Sequence, residues 1–540
     1  MSQLIDTSID PFVAERLPDP AQWPRFLFDV PELHYPERLN AAVELLDRAC
    51  EEGDGDRLAV INDAGTWTYR ELADLSDKIA GLLVDDGKLR PGNRVLLRGP
   101  NSFTLIACWF AVLKAGGIAV TTMPMLRAGE LAPILRTARI SHALVDSRTL
   151  QDWRQAADGT DDLAWTATFE GDSGTGALES MIADRTGGFE AFIGPSDAPA
   201  VIAFTSGTTG VPKGCVHDHR ALLAPADTFA RHILKPEPGL RWCGSPPIAF
   251  TFGLGALVLF PFRFRGTSVT LEQASPANLL AAIERFGVNM LFTAPTAYKV
   301  MLPLLSEADI SSLRACISAG EHLPLAIFEA WETATGHRLV NGIGATEMMH
   351  IFISAAGNDI LPGATGKVVP GYEACVLDEQ NNPMSEGEGR LAVRGPTGCR
   401  YLDDPRQENY VIGGWNVTGD TYRLDAEGYF HYVARSDDMI VSSGYNIAAP
   451  EVENALLSHG AVAECAVVGT PDDDRGMIVK AYVVCAQGCG DAALAKALQD
   501  HVKAAIAPYK YPRAIEFVPN LPKTLTGKVQ RYRLREKEAS

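Results

Sequence analysis

Short apolar runs alternate with longer amphipathic segments along about the first four hundred residues. The run RVLLRG at 94–99 predicts a strand, NSFTLIACWFAVLKAGG at 101–117 predicts a helix that ends at its glycines, and IAVTTM at 118–123 predicts the next strand. Farther along the chain, Ser275 predicts the start of another helix and Gly287 its end. This alternation predicts an α/β fold with layered, largely parallel sheets.

The pattern changes near residue 438. The runs AECAVVGTP at 463–471, MIVKAYVVCA at 477–486 and IEFVPNLP at 515–522 predict strands, and DAALAKALQDHVKAAI at 491–506 predicts a helix. Residues 435–438 are polar, as a hinge or linker would be. We therefore predict a large N-terminal domain of layered sheets and helices, residues 1–436, and a small α+β domain, residues 437–540.

The composition is that of an ordinary globular protein, and its charge narrows the functional classes. Of the 540 residues 46% are hydrophobic and 21% charged, and the formal net charge is −19. This acidity argues against broad nucleic-acid binding and against a basic membrane-binding face. Ten cysteines without a CxxC pair, and a start without a signal-peptide pattern, predict a reduced cytoplasmic protein. No apolar run has the length of a membrane span.

The stretch TSGTTGVPKG at 205–214 carries the first candidate chemistry. It follows the apolar run at 200–204, which predicts a buried strand. Glycines let the backbone approach a ligand, and backbone N–H groups with hydroxyls can bind a polyphosphate, to which Lys213 adds a positive charge. The stretch does not fit the Walker pattern GxxxxGK[ST]. From these residues alone, a phosphate loop and a plain strand connection both remain open.

Five segments occur in an order that is similar to one family. They are TSGTTGVPKG, IGATE at 343–347, WNVTGD ending at Asp420, ARSDDMIVSSGYNIAAPEVE at 434–453 and PKTLTGKVQR at 522–531. Together they resemble the adenylate-forming superfamily of acyl-CoA synthetases, adenylation domains and luciferases, over roughly residues 40–535. The resemblance implies that a carboxylate attacks the α-phosphate of ATP to give acyl-AMP and pyrophosphate, and that the thiol of coenzyme A then attacks the acyl-AMP.

The resemblance also implies a set of ATP-binding residues. Lys528 corresponds to the catalytic lysine, whose cation pairs with the carboxylate and the α-phosphate, and Glu347 corresponds to a Mg²⁺ ligand. The implied ATP contacts are Thr205, Ser206, Gly207, Thr208, Thr209, Lys213, Ala319, Gly320, Glu321, Ile343, Gly344, Thr346, Asp420, Tyr432 and Arg435. Ile343 stands where many relatives have a tyrosine that stacks on adenine, and Val441 stands where lysine is common.

The acid and coenzyme A sites follow from the same resemblance. The acyl pocket is expected to contain Phe250, Thr251, Phe252, Ile343, Met349 and His350, which are bulky enough to favour a short, flat acid. Plain core packing remains the alternative for each of these side chains, including a satisfied core histidine at His350. Asp437 corresponds to the hinge of a mobile C-terminal domain, and Ser443, Gly444 and Tyr445 are expected to line the coenzyme A tunnel.

Several segments are especially similar to benzoate-type ligases. GIGATEMMHIF, FTAPTAY and KTLTGKVQR resemble the aryl-CoA ligases that act on benzoate, and SPPIAFTFGLG and SGTTGVPKGCVHDH resemble the 2-aminobenzoate-CoA ligases. The expected function is an aryl-CoA ligase that uses ATP, Mg²⁺ and coenzyme A. Two alternatives remain: an adenylating enzyme that loads a carrier protein, and a non-catalytic relative, which the joint presence of Lys528, Glu347 and Asp420 disfavours. A homodimer is compatible with the sequence.

Overall fold

The computed structural model of the chain describes residues 9–205, 212–435, 439–442, 445–472, 476–488, 490–506, 510–523 and 529–539. Three large sheets and a two-stranded sheet, Arg38–Leu39 with Gly194–Pro195, lie before residue 436 among the described residues, and a smaller group of strands and helices follows. Within the described ranges, none of the helices has the length and apolar character needed to cross a membrane.

The first sheet, sheet A, has six strands. In spatial order they are Lys213–Asp218, Pro199–Thr205, Ile118–Thr122, Arg94–Arg98, His142–Asp146 and Trp165–Phe169. All but Lys213–Asp218 run parallel to one another. That strand is antiparallel to its neighbour because too few residues separate the two for a crossover helix. The strands predicted at 94–99, 118–123 and 200–204 are confirmed.

The second sheet, sheet B, has nine strands. In order they are Lys367–Val368, Ile351–Ser354, Leu339–Gly344, Ala315–Ser318, Met290–Thr293, Arg241–Gly244, Thr267–Val269, Leu58–Asn62 and Gly65–Thr68. The six central strands are parallel, and antiparallel pairs occur only toward the two edges. The alternation in the sequence therefore predicted the parallel character of both sheets correctly.

The third sheet, sheet C, departs from that prediction. Its strands are Pro383–Met384, Glu373–Leu377, Gly387–Arg394, Trp415–Leu424 and Val411–Ile412, with Phe430–Arg435 also paired to Trp415–Leu424. All of these pairs are antiparallel. The physical reason is local, since Asp378 folds the chain back by accepting hydrogen bonds from the backbone N–H groups of Gln380 and Asn382 at 2.9 and 2.8 Å.

Helices fill the layers around these sheets. The α-helices are Arg48–Glu51, Tyr69–Asp85, Phe103–Lys114, Ala128–Ala138, Leu150–Ala157, Ala177–Ile182, His219–Pro225, Thr251–Leu254, Phe260–Arg263, Pro276–Phe286, Pro295–Met301, Leu325–Thr335, Gln407–Tyr410, Ala449–Leu457, Ala492–Ala505 and Arg531–Ala539. Ser275 caps the helix Pro276–Phe286 through the N–H of Asn278, and Gly287 ends it with a φ of 61°. Both predicted ends of this helix are confirmed.

The helix Phe103–Lys114 is buried along its whole length. One hydrophobic cluster joins it to residues of both sheets, among them Val95 in sheet A and Trp242 in sheet B. Each large apolar side chain buried there contributes about 1.5–3 kcal/mol. Lys114 ends the helix inside the core, where Asp47 and Asp77 accept from its ammonium at 2.5 and 2.6 Å. Pairing is what makes a buried charge tolerable at that position.

The C-terminal part has its own sheet and core. Val462–Asp472, Gly476–Cys485 and Ala514–Phe517 form a three-stranded sheet, which confirms the strands predicted there, and Met439–Ser442 pairs with Tyr445–Ala448. A separate hydrophobic cluster joins this sheet to the helices Ala449–Leu457 and Ala492–Ala505. The predicted domain boundary at 436/437 lies outside the described residues.

Candidate active site

The strand ends that flank the predicted phosphate loop lie side by side. Thr205, the last residue of its strand, pairs with Lys213, the first residue of the next. Ser206, Gly207, Thr208 and Thr209 lie outside the described residues. The ends of the loop are therefore located at one edge of sheet A.

A tyrosine that the sequence analysis missed connects two predicted site residues. The Lys213 ammonium donates to the Tyr401 hydroxyl at 2.8 Å, and that hydroxyl donates to Glu347 Oε1 at 2.5 Å. Lys213 Nζ lies 3.7 Å from the same carboxylate oxygen. Burial, and next the charge of Glu347, raise the pKa of Tyr401 far above its usual value, so its hydroxyl stays protonated. Tyr401 lies in none of the five family segments, and nothing in its local sequence marks it as a site residue.

The segment IGATEMMHIF forms a tight turn that separates the two halves of the site. Gly344 must be a glycine, because a Cβ there would lie 2.7 Å from the carbonyl oxygen of His350. Thr346–Met348 is a short 3₁₀ turn, and its Thr346 carbonyl accepts from His217 Nε2 at 2.7 Å. Met349 then has a φ of 65° and a ψ of −38°. The His350 N–H donates to the Met348 carbonyl at 2.7 Å across this residue, as in a strained γ-turn.

That turn directs Glu347 and His350 to different places. Glu347 is 8% exposed and lies at the Lys213 end of the site, whereas His350 is 2% exposed and lies among aromatic rings. Strain of this kind costs about 1–3 kcal/mol and tends to occur at functional sites. The predicted pocket residue Met349 is fully buried in the main hydrophobic cluster, with Ile343 packed against that cluster.

His350 is enclosed by three phenylalanine rings. The centroid of its ring lies 4.6 Å from that of Phe260, 5.6 Å from that of Phe229 and 5.7 Å from that of Phe252. Neither ring nitrogen makes a hydrogen bond of normal distance and angle among the described residues, although the Phe252 backbone lies close enough to the ring to make a weak one. Burial lowers the pKa of His350 to about 3, and this weak backbone hydrogen bond acts in the opposite direction. The imidazole is therefore neutral at pH 7 and retains one donor and one acceptor.

A glycine makes room for this histidine. A Cβ at Gly255 would lie 2.3 Å from His350 Cδ2 and 2.4 Å from Nε2. Gly255 begins the π-helical segment Gly255–Leu259, and Phe229 lies in a second one, Ala226–Leu234. Such segments occur frequently at functional sites. The sequence analysis did not identify Phe229 or Phe260, which share no sequence segment with the predicted pocket residues, whereas Gly255 is the last residue of the segment SPPIAFTFGLG quoted above.

A buried ion pair ties the two walls of this cage together. Asp227, which precedes Phe229 by two residues, is fully buried and accepts from Arg263 at 2.9 Å. Arg263 ends the short helix that carries Phe260. Of the other predicted pocket residues, Thr251 is buried and Phe250 immediately precedes its helix. Of the predicted acyl residues, Phe252 thus packs against His350, and Met349 precedes it in the chain.

The predicted nucleoside residues lie on neighbouring strands and loops. Asp420 and Arg435 are paired across sheet C, and Arg435 Nη1 lies 3.8 Å from Asp420 Oδ1. The Tyr432 ring stacks on the ring of His322, with centroids 4.9 Å apart and an interplanar angle of 24°. His322 directly follows the predicted segment 319–321, in which Gly320 has a φ of 87°. The structure therefore brings the predicted ATP-contact segment 319–321 next to the strand that carries Tyr432.

The remaining predicted residues belong to the C-terminal part. Lys528, Asp437, Ser443 and Gly444 lie outside the described residues, and Tyr445 begins the strand Tyr445–Ala448. Among the described residues, the C-terminal part contacts the rest of the chain through hydrogen bonds that include the following two. Lys299 Nζ donates to the Ala463 carbonyl at 2.7 Å, and Asn454 Nδ2 lies 3.4 Å from His322 Nε2.

A Mg²⁺ ion would find one suitable ligand at this site. The described residues contain no group of three or more His, Cys, Asp or Glu side chains that could hold a metal. Glu347 supplies a hard carboxylate oxygen beside the phosphate loop. Mg²⁺ is commonly held by one or two carboxylates together with substrate phosphates, so the residues present fit a metal that arrives with a nucleotide.

Comparisons with known proteins agree along nearly the whole chain. The sequence model described as AMP-binding enzyme matches residues 46–400, and the one described as AMP-binding enzyme C-terminal domain matches residues 451–528. The benzoate–CoA ligase of Thauera aromatica is 35% identical over 513 residues, covering 94% of this chain and 97% of that protein.

Two solved structures share the fold. An anthranilate CoA ligase in complex with anthranoyl-AMP matches with a TM-score of 0.89 and 32% identity, covering 94% of this chain and 99% of that one. A benzoate CoA ligase from Burkholderia xenovorans LB400 matches with a TM-score of 0.83 and 30% identity, covering 92% and 100%.

Proposed function

Because the chain belongs to the AMP-binding enzyme family and is an acid–thiol ligase, we propose that it activates an aromatic carboxylic acid and transfers it to coenzyme A. The carboxylate displaces pyrophosphate from ATP and forms acyl-AMP. The thiol of coenzyme A then displaces AMP and forms the thioester. The observation that carries the proposal is the buried imidazole of His350, whose nitrogens make no hydrogen bond of normal geometry among the described residues and which lies among three aromatic rings.

The aromatic lining favours a flat acid. Phe229, Phe252 and Phe260 surround the imidazole with ring centroids within 5.7 Å of its own. Aromatic rings at such distances gain from stacked or edge-to-face packing beyond the burial of their area. The similar ligases are named for benzoate and anthranilate, which supports the same substrate class for this chain.

Within that class, we infer a preference for 2-aminobenzoate over benzoate. A buried polar group without a partner costs about 1–3 kcal/mol, and the neutral His350 imidazole has an acceptor nitrogen in that condition. An ortho amino group can donate to this nitrogen, whereas benzoate has no donor to offer. Binding of 2-aminobenzoate therefore removes the cost of the unpaired buried nitrogen, whereas binding of benzoate does not.

The nucleotide roles are assigned on the family resemblance, and for the residues that the structure describes their positions in the fold support it. The loop from Thr205 to Thr209, with Lys213, is assigned to the β- and γ-phosphates, and Asp420 to the ribose hydroxyls. Ala319, Gly320, Glu321, Ile343, Gly344, Thr346, Tyr432 and Arg435 complete the proposed nucleotide site. When Mg²⁺ is bound, it neutralises phosphate charge, and Glu347 is the residue that would hold it.

The C-terminal part is assigned the two remaining tasks. Lys528 is proposed to neutralise the repulsion between the carboxylate and the α-phosphate during adenylation. Rotation about Asp437 would then bring Ser443, Gly444 and Tyr445 to the acyl-AMP, because one space cannot hold both the lysine and a thiol tunnel. The division at 436/437, the cytoplasmic location and the homodimer stay predictions.

The test measures both half-reactions with a panel of acids. Pyrophosphate release and thioester formation are followed with ATP, Mg²⁺ and each of 2-aminobenzoate, benzoate and hexanoate, with and without coenzyme A. We expect both products with the aromatic acids, the highest kcat/KM with 2-aminobenzoate and a much lower value with hexanoate. Pyrophosphate release without thioester for every acid would instead favour loading of a carrier protein, and preference for hexanoate would contradict the aromatic pocket.

A further inference from the structure

We propose that Tyr401 is a positioning residue for magnesium–ATP, whose hydroxyl accepts the hydrogen bond that the Lys213 ammonium would otherwise donate to the Glu347 carboxylate. The inference rests on the proposed roles of Glu347 and Lys213 toward ATP, and it is independent of which acid the enzyme activates. The hydroxyl bridges the two charged groups from one side, 2.8 Å from Lys213 Nζ and 2.5 Å from Glu347 Oε1, and these two atoms lie 3.7 Å from each other.

The backbone around Tyr401 is fixed from two sides. Tyr401 pairs with Cys215 of the strand Lys213–Asp218, and the flanking hydrogen bonds run from the Val216 N–H to the Arg400 carbonyl at 2.9 Å and from the Leu402 N–H to the Gly214 carbonyl at 2.8 Å. On its other side, the Tyr401 N–H donates to Gln407 Oε1 at 3.0 Å. The tyrosine and Lys213 therefore belong to one rigid unit.

The side chain is equally constrained. Tyr401 is fully buried, and its ring packs against Tyr410 with centroids 5.8 Å apart. The Lys213 ammonium lies 4.7 Å from the centroid of the Tyr401 ring, so a cation–π contact with the ring adds to its hydrogen bond with the hydroxyl. The hydroxyl oxygen consequently has a defined position between two charged groups that come from distant parts of the sequence.

This arrangement determines how strongly the Lys213 ammonium competes with Mg²⁺ for the Glu347 carboxylate. A hydroxyl has one hydrogen, which Tyr401 donates to the carboxylate, and lone pairs that accept from the ammonium. The opposite charges stay 3.7 Å apart, with side chains only 19% and 11% exposed. If the hydroxyl oxygen is removed, attraction at such low exposure draws the ammonium onto the carboxylate. Mg²⁺ must then displace a cation from the oxygen that it needs.

The test is binding of α,β-methylene-ATP in calorimetry over a series of Mg²⁺ concentrations, without acid or coenzyme A. For Tyr401→Phe we expect the half-saturating Mg²⁺ concentration to rise about tenfold, the factor that corresponds to one hydrogen bond to a charged group. Tyr410→Phe is the matched control, because Tyr410 lies beside Tyr401 and its side chain makes no hydrogen bond to Glu347 within the described ranges. This variant should retain the wild-type Mg²⁺ requirement.

A double variant separates positioning from general loosening of the site. In a Lys213→Met background there is no ammonium to pair with Glu347, so adding Tyr401→Phe should change the Mg²⁺ requirement by less than about twofold. Equal effects in both backgrounds, an unchanged or lower Mg²⁺ requirement in Tyr401→Phe, or a Tyr401→Phe protein that does not fold would overturn the proposal. Failure of the aromatic-acid proposal would appear in the substrate panel and would leave this binding measurement unaffected.

Discussion

A methyl group added at Gly255 would have to displace the His350 ring. The Cβ of Gly255→Ala would lie 2.3 Å from His350 Cδ2 and 2.4 Å from Nε2, and ordinary carbon contacts begin near 3.4 Å. The imidazole must therefore move by roughly 1 Å, a displacement that typically costs about a hundredfold in rate when it misplaces a reacting group. The three phenylalanine rings that pack against the imidazole oppose that movement.

We expect kcat/KM of Gly255→Ala for 2-aminobenzoate to fall about a hundredfold, which corresponds to about 2.7 kcal/mol in transition-state binding. Overpacking of the buried site should also lower the free energy of unfolding by about 1–3 kcal/mol. Binding of α,β-methylene-ATP should stay at the wild-type level, because Gly255 lies on the acid side of the turn at Met349.

The assay combines pyrophosphate release over a range of acid concentrations, calorimetric binding of the ATP analogue, and urea unfolding. Gly129→Ala is the matched control, since a Cβ at Gly129 meets nothing within 4 Å and its backbone is helical. This control should keep full activity and gain a little stability from helix propensity. A Gly255→Ala enzyme with wild-type kcat/KM for aromatic acids and wild-type stability would refute the assignment of this cage as the acid pocket.

Three further predictions concern His350 and Lys528. His350→Phe should lower kcat/KM for 2-aminobenzoate about tenfold and that for benzoate by less than twofold, and an equal loss for both acids would contradict the proposed hydrogen bond. Because the folded pKa of His350 is lowered to about 3, the unfolded chain binds the extra proton first, and this residue's contribution to stability is lost as pH falls below about 6.5. Between about pH 6 and pH 5, the free energy of unfolding measured in urea should therefore fall more for the wild type than for His350→Phe, by about 1.4 kcal/mol per pH unit. Parallel curves for the two proteins would show that the imidazole is charged in the folded protein. Lys528→Ala should slow acyl-AMP formation far more than thioester formation from supplied acyl-AMP, measured as two separate half-reactions, and equal losses would contradict the division of tasks between the two conformations.

The sequence predicted the local structure well where the signal is short in range. The cap at Ser275, the end at Gly287 and the three predicted strands of sheet A each depend on residues within one element, and all are confirmed. The family inferred from five ordered segments is confirmed as well. Sheet C was missed because its antiparallel turns depend on local side chains such as Asp378, which the alternation of helices and strands does not reveal.

The residues of the candidate site also fall into those that the sequence indicated and those that only the fold revealed. Motif order brought Lys213, Glu347, Asp420 and His350 into consideration, because each lies inside a segment that resembles a family signature. It did not bring in Tyr401, which is separated from Glu347 by 54 residues and from Lys213 by 188. The Tyr401 hydroxyl reaches Lys213 only because the chain at Tyr401 pairs with the strand Lys213–Asp218 in the folded protein.

The chain by itself thus determined the class of enzyme, the order of its elements and the residues of its signature segments, since all of these are written in neighbouring residues. The tertiary structure alone decided that the Tyr401 hydroxyl bridges two opposite charges and that Gly255 leaves room for a neutral histidine among three rings. The physical reason is that hydrogen bonding, exclusion of water and pKa shifts depend on distances through space, and residues far apart in sequence supply the atoms that set those distances.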